Sequence, residues 1–298
     1  MPQAETGAPA PGYDRRITPA RADLAADHLR GILAAPRYVP GTDQRVRAPL
    51  TPLRPRPDPT APQDTELRHG EAFRVYDAGG GWSWGQSGFD GYVGWVRSDA
   101  LALPGPMPTH RVITRFAPVH ATPDYKRVPG RALPMGALVS VADITRRWAR
   151  LQDGGWIAVA QLAPLDTVAA PDPVASALGL VGVPYVWGGR TPLGLDCSGL
   201  VQLVHELAGT ALPRDSDQQF AATTPAHVFI GPSRGDLVFF PGHVAIALDA
   251  GTVVHANALA MAVAVEPLVD LCTRIARDAG LPDGTSPVTG IRHARRPA

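Results

Sequence analysis

A chain of 298 residues has room for about two domains. With 45% hydrophobic residues and a formal net charge of +1, it reads as an ordinary globular protein, with no charge pattern suited to nucleic acid or an anionic membrane surface. No run reaches the ~18 apolar residues of a membrane-spanning helix. The opening MPQAETGAPAPGYDRR has no basic segment followed by an apolar one, so the chain is expected to stay in the cytoplasm.

Residues 1 to about 16 are rich in Pro, Ala and Gly without periodicity and are expected to be disordered. Thr18 then suits an N-cap and Pro19 a first helical position, opening a helix through Leu24, Leu29, Ile32 and Leu33 that Pro36 ends. Residues 1–45 are thus expected to form an N-terminal arm, partly disordered, with one helix. From Val46 the pattern turns to short β-prone runs, and the prolines from Pro49 to Pro62 predict a long extended loop.

An internal repeat follows. Leu67, Gly70, Phe73 and Val75 reappear 66 residues later as Leu133, Gly136, Val139 and Val141. Trp84 is matched to Trp148 at 64, and Trp95, Val96 and Leu101 to Trp156, Ile157 and Leu162 at 61. Two copies of one unit, over residues 46–105 and 106–166, are near the lower size limit of a domain. Their strands are split by glycine turns, so each is predicted to be a small β-barrel. The Gly-Trp-Val and Gly-Trp-Ile endings resemble the bacterial SH3-like domains often attached to cell-wall enzymes.

After a proline-bearing linker, residues 170–298 form the last predicted domain. Its centre is PYVWGGRTPLGLDCSGLV, which delivers Cys197 to the start of a helix marked by Leu200, Val201, Val204, Leu207 and Ala208 and closed by Gly209. A helix start favours negative charge and would lower the thiol's pKa into the reactive range of roughly 3.5 to 7.5. Position alone fits a small buried hydrophobe equally well. The glycines Gly188, Gly189, Gly194 and Gly199 favour the reactive reading, since bare backbone admits a close approach. Cys272 lies in a helical pattern over 266–279 and reads as core, so both cysteines are expected to be free thiols.

Between these helices come a polar loop, ALPRDSDQQF, entering a short helix, then a strand Leu237–Phe240. A hairpin with strands Val244–Leu248 and Val253–Ala256 follows, and residues 290–294 form a closing strand. Of the nine histidines, the hairpin pairs two: alternation and the turn at 249–251 place His243 and His255 nearly opposite each other on adjacent strands. One imidazole would take the cysteine proton while the other group fixes its tautomer. Without Cys197 they would be two ordinary sheet histidines, and Asn257 is an alternative orienting group. His205-Glu206 is not a zinc-protease motif, because Gly209 stands where the second histidine must be. No metal, nucleotide or other cofactor is expected.

The segments PYVWGG, LDCSGLVQ, LPRDSDQQ, RGDLVFF, GHVAI and VVHA, in that order, resemble the NlpC-type family of papain-like cell-wall cysteine peptidases. With two SH3-like units in front, the chain is similar to the γ-D-glutamyl-L-diamino acid endopeptidases of that family. The resemblance implies an α+β fold: a papain-like catalytic domain preceded by two SH3-like β-barrels and a short helical arm. It makes Cys197 the nucleophile, His243 the general base and His255 the group orienting it. It places Tyr185 near the oxyanion, where a packed aromatic beside Trp187 is an equal reading.

The same resemblance implies that Asp196, Ser198 and Ser216 hold the substrate's free α-amine and first residue, although Asp196 also suits the N-cap of the cysteine helix. Glu71 and Tyr92 of the first barrel are expected to complete that pocket, or else to be surface residues of the barrel. The implied partners are murein stem peptides with a free N-terminal L-Ala, cleaved by way of a Cys197 thioester in peptide recycling. The rival readings are an exported hydrolase of intact peptidoglycan and a noncatalytic wall-peptide binder.

Overall fold

The computed structural model describes residues 13–226 and 231–294; of the expected disorder over residues 1 to about 16, residues 1–12 fall outside them, whereas residues 13–16 are ordered, with Asp14 and Arg16 bonded to the rest of the protein. Two small β units precede a mixed helix and sheet domain, and the units follow one plan. In the first, strands run in the order Leu101–Ala102, Thr42–Val46, Ala72–Gly79, Trp82–Ser87 and Val93–Arg97, so it opens at Thr42 rather than at residue 46. Leu50–Leu53, where the prolines predict loop rather than strand, forms a hairpin with Thr65–Arg68 that joins the last strand through an Arg54 to Trp95 bridge. In the second unit the hairpin of Phe116–Val119 with Arg131–Pro134 does the same through His120 and Trp156.

The long hairpins carry the same bulge, between Val75 and Asp77 in one and Val141 and Asp143 in the other. These registers correct one sequence match. Trp148 closes its hairpin opposite Thr145 as Trp82 does opposite Gly79, so Trp82, not Trp84, is its counterpart, and Arg150 stands where Trp84 stands. Alternation puts Trp82 and Trp84 on one face, so a slip of two residues left the pattern looking intact.

The N-terminal arm is not the helix that the sequence predicts. Ala20–Arg21 and Leu24–Ala26 pair antiparallel, Leu24–Ala26 pairs with Tyr38–Val39, and only Asp27–Leu29 makes a 3-10 turn. Leu24, Ala25 and Ala26 are all fully buried, packed with Leu29 against Tyr76 and Trp84. Three consecutive buried residues suit an extended segment lying in a slot, whereas a helix buries one stripe, and packing outweighs the weak local propensity. Arg21 seals the slot, its guanidinium lying 4.8 Å from the Trp84 ring centre and 5.0 Å from that of Trp95.

The C-terminal domain is built on a six-stranded antiparallel sheet in the order Thr224–Pro225, Gly290–His293, Leu237–Phe240, His243–Ala247, Thr252–Asn257 and Ala262–Pro267. Helices α1 (Pro173–Leu178) and α2 (Cys197–Leu207) cover one face, where Leu200, Val201 and Val204 meet Val244, Ile246 and Val254. Helix α4 (Leu268–Asp278) covers the other through Leu271, against Val238, Phe240 and Val253. Helix α3 (Ser216–Ala222) lies beyond α2. Gly209, at φ +82°, ends α2 in the left-handed conformation expected of it. No helix among the described residues is long and apolar enough to cross a membrane.

Every residue of α2 is buried, its polar face included. The barrels cover that face through ion pairs. Arg68 of the first barrel donates to Glu71 and, at 2.8 Å, to Glu206 of α2. Arg190 of the C-terminal domain donates to the Glu66 carbonyl, to Glu71 and to Gln202 of α2. Arg111 of the second barrel donates to the Glu206 carbonyl at 3.0 Å. The Phe89 ring lies under both Arg68 and Arg190. Gly136 of the second barrel has to be glycine, because a β-carbon there would stand 1.9 Å from Arg68 Nη1. Arg68→Ala would leave two buried carboxylates short of a partner. It should cost about 3–5 kcal/mol in chemical denaturation, and a loss below about 1 kcal/mol would show that the seam is held by other contacts.

Candidate active site

Cys197 is the first residue of α2, and Asp196 just before it is the N-cap, accepting from the Gly199 N–H at 2.7 Å. Asp196 also accepts from the Gly188 N–H at 2.8 Å and from Arg214 at 2.5 and 3.0 Å. The expected close approach at the glycines is one of backbone to backbone: a β-carbon on Gly199 would stand 2.1 Å from the Gly189 carbonyl. Burial, followed by the Asp196 charge, pushes the Cys197 thiol up to about 11, with backbone donors at Val244 and Ser198 and the charge of Arg214 opposing. This corrects the expectation of a depressed pKa, since a dry site and an adjacent carboxylate outweigh the helix terminus. The second cysteine, Cys272, is free and half-buried against the α4 core.

His243 begins its strand and shares one cleft with Cys197. Its Nε2 lies 2.7 Å from His255 Nδ1, and His255 Nε2 lies 2.6 Å from Glu266 Oε1. Glu266 is gripped by Arg274 of α4 at 2.6 and 2.8 Å. That ion pair, ahead of the other influences, holds the Glu266 carboxyl below its usual range, so it can only accept. The proton on His255 Nε2 is therefore assigned to the Glu266 bond, His255 Nδ1 accepts from His243 Nε2–H, and His243 Nδ1 is left free as a base. Asn257 Nδ2 comes within 3.1 Å of the same His255 nitrogen, but the shorter contact to a charged carboxylate decides the proton. Asn257 spends its oxygen on the Ala260 N–H, so His255 and not Asn257 touches the first histidine. Burial, then His255 and Arg274, lower His243 to about 3, so the imidazole is neutral at neutral pH.

The cleft measures about 360 Å³. Of the expected binding residues, Tyr92, Tyr185, Asp196, Ser198 and Ser216 line it. Ser198 accepts from Arg214 at 2.8 Å and donates to Asp196, so its hydroxyl is committed to the wall. Tyr185 is pushed up to about 12, by burial first, and keeps its phenol proton. Tyr92 donates to Asp215 at 3.2 Å.

Glu71 does not reach the cleft. It is 1% exposed and tied to Arg68 and Arg190 in the seam behind α2. The barrel carboxylate in the cleft is Asp64, which the sequence reading missed; burial, then Asp215, raise it to about 6. Both acids flank the strand Thr65–Arg68, Asp64 at its start and Glu71 past its end, and the pattern LRHGE drew the match to the wrong end. Asp215, Arg214, Glu266 and Arg274 were missed as well.

Residues 182–270 match the NlpC/P60 family, and residues 53–101 match the domain described as bacterial dipeptidyl-peptidase Sh3. A probable endopeptidase of Corynebacterium glutamicum is 34% identical over 164 residues, 54% of this chain and 76% of that protein. A γ-D-glutamyl-L-lysine dipeptidyl-peptidase of Bacillus cereus is 30% identical over 134 residues, 41% of this chain and 38% of that protein. A dipeptidyl-peptidase 6 of Lysinibacillus sphaericus is 40% identical over 84 residues, 28% of this chain and 31% of its own length. The matches to the last two therefore span about a third of those relatives. The crystal structure of an NlpC/P60 family protein from Bacillus cereus superposes with a TM-score of 0.70 at 19% identity, over 86% of this chain and all of that one, and so shares the fold. The chain belongs to the NlpC/P60 family of peptidases. Its bacterial SH3 domain and mixed helix and sheet catalytic domain are those that the sequence predicts.

The relay gives two expectations. Glu266→Gln and His255→Ala should each lower kcat at least about tenfold with little change in KM, because they act on the base rather than on bound substrate. Asn257→Ala should stay within about threefold, and the reverse order in steady-state kinetics would move the orienting role. Cys197→Ala should abolish turnover in a folded protein while Cys272→Ala costs little. Activity of Cys197→Ala within about tenfold of wild type would rule out a thiol nucleophile.

Proposed function

We propose that the protein is a cysteine endopeptidase that hydrolyses the bond between γ-D-glutamate and a diamino acid in free L-Ala-γ-D-Glu-diamino acid peptides, in the recycling of wall peptides within the cytoplasm. The observation that carries this reading is that Asp64 and Tyr92 of the first barrel line the same cleft as Cys197 and His243. Asp196 lines the cleft beside Cys197, while Asp64 and Asp215 line it within reach of each other's charge, a setting for an ammonium group. The free amine of L-Ala would sit there, which sets the γ-glutamyl carbonyl at Cys197.

With thiol and imidazole both neutral at rest, the proton moves as the bond forms. His243 Nδ1 takes the thiol proton while Sγ attacks the γ-carbonyl carbon. The resulting imidazolium is stabilised through His255 by Glu266. Backbone N–H groups at the start of α2 and the protonated Tyr185 hydroxyl receive the oxyanion. His243 then protonates the departing amine of the diamino acid, leaving a Cys197 thioester. Water, deprotonated by His243, releases L-Ala-γ-D-Glu.

An acylated amine carries no charge and leaves the carboxylates without their partner. N-acetyl-L-Ala-γ-D-Glu-diaminopimelate should therefore be cleaved at least about a hundredfold more slowly than the free tripeptide, roughly 2.7 kcal/mol in kcat/KM. Equal rates, or peptide released from intact sacculi, would assign the protein to the intact wall instead. The acid limb follows from Asp64: its carboxyl titrates near 6, so the ammonium loses a counter-charge as pH falls through that value. KM for the free peptide should rise below about pH 6 with kcat nearly flat, and Asp64→Asn should remove the limb. A KM independent of pH between 5 and 8 would refute the role of Asp64.

A further inference from the structure

We propose that Arg16, on the N-terminal segment, is a positioning residue for the amine-binding end of the cleft, acting through Asp215. The proposal rests on the amine-pocket reading above. Residues 13–17 lie outside both matched regions. Arg16 nevertheless lines the cleft that holds Cys197 and His243.

The segment is built into both sides of that cleft. The Val93 N–H of the barrel donates to the Arg16 carbonyl at 2.7 Å, and Gln86 donates to the Ile17 carbonyl at 2.9 Å. On the catalytic side Gln218 of α3 donates to Asp14 at 2.9 Å. The guanidinium spans the gap: Nη1 donates to Asp215 Oδ2 at 2.9 Å and to Asp217 at 2.8 Å, Nη2 donates to Asp217 at 2.7 Å, and Asp14 takes Nε and shares Nη2. Asp215 Oδ2 also accepts from Tyr92, so one carboxylate oxygen is held by the barrel and by the N-terminal segment together.

The charges facing Asp215 are Arg16 and Asp14 on the segment, Arg214 and Asp217 beside it in the chain, Asp64 and the Tyr92 hydroxyl on the barrel, and Asp196 at the start of α2. Arg214 is buried behind the cleft wall and committed to Asp196, Ser198 and Thr65. Arg16 is thus the cation on the open side of Asp215. Without it Asp215 loses a donor that fixes its rotamer and one of the two guanidinium charges, Arg214 and Arg16, that favour its ionised form, so it holds its proton to higher pH. A site so changed would bind an ammonium less well, while Cys197, His243 and the relay keep their contacts.

The test compares wild type, Arg16→Gln and Arg16→Lys on L-Ala-γ-D-Glu-diaminopimelate and its N-acetyl form across pH 5 to 8. Arg16→Gln should raise KM for the free peptide about tenfold with kcat within about twofold, and shift the acid limb of kcat/KM upward by about half a unit or more. Arg16→Lys should recover most of this, since it keeps the charge. The slow cleavage of the N-acetyl peptide should barely change. An unchanged KM and acid limb in folded Arg16→Gln, or an equal loss on both peptides, would overturn the proposal. If Arg16→Gln does not fold, Asp14→Asn, which loosens the guanidinium without removing its charge, should show a smaller shift in the same direction, and no shift would overturn it. Wild type treating the two peptides alike would defeat the amine pocket itself; wild type discriminating, with Arg16→Gln doing so equally well, would defeat only the role of Arg16.

Discussion

The buried ion lattice of Arg68, Glu71, Arg190 and Glu206 is the constraint on which the rest of this structure depends. Taking charges out of water is unfavourable unless each finds a partner, and here the partners come from both barrels and from the catalytic domain. The lattice therefore forms only when the pieces are docked in one arrangement. It also explains why α2 can be buried on every side while carrying Gln202, His205 and Glu206. With α2 clamped between the sheet and the barrels, its first residue has a fixed position, and that residue is Cys197. The same docking brings Asp64 and Tyr92 to the cleft, so the lattice that stabilises the seam also shapes the site.

A second consequence concerns protons. The clamp dries the start of α2, which raises the thiol, and the enclosure of His243 lowers the imidazole. A resting ion pair is disfavoured from both sides, so thiol and imidazole rest neutral. The compensation is placed out of sight of the cleft: His255 faces α4, and Glu266 is held there by Arg274. Glu266 thus acts on His243 only through His255, without touching it. That carboxylate can stay charged because it is only partly buried and paired.

What the sequence made legible was local. The spacing of Leu200, Val201 and Val204, the cap at Gly209 and the hairpin alternation placed Cys197, His243 and His255 without any tertiary information. The repeat was legible through its buried positions, Leu67 with Leu133 and Val96 with Ile157, and slipped only at the tryptophans, where two on one face made either register fit. The other failures were long-range. Both ends of the Thr65–Arg68 strand meet the C-terminal domain, so whether Asp64 or Glu71 faces the cleft depends on which end lies beside Cys197, and nothing within that segment says so. The N-terminal arm carried helical spacing at Leu24, Leu29, Ile32 and Leu33, but the slot beside Trp84 takes extended chain. Arg274 sits on the expected helix, but Glu266 lies on the strand Ala262–Pro267, where the sequence predicts helix from residue 266, and their meeting with His255 follows from the stacking of α4 on the sheet.

The two barrels, alike in plan, have diverged in what covers them. On the first, Trp84 and Trp95 lie under Arg21 and the N-terminal segment. On the second, Arg150 replaces the first of these tryptophans and no described segment lies in the corresponding place, so Trp156 lines an open groove with Trp148. The segment that covers the first barrel is continuous with the one that carries Arg16 into the cleft. Burial of Leu24, Ala25 and Ala26 against that barrel thus anchors the backbone a few residues from the guanidinium, which limits the entropy lost when Arg16 is held among three carboxylates. The apolar part of the arm makes the polar part affordable, and the barrel that received the arm is the one that reaches the site.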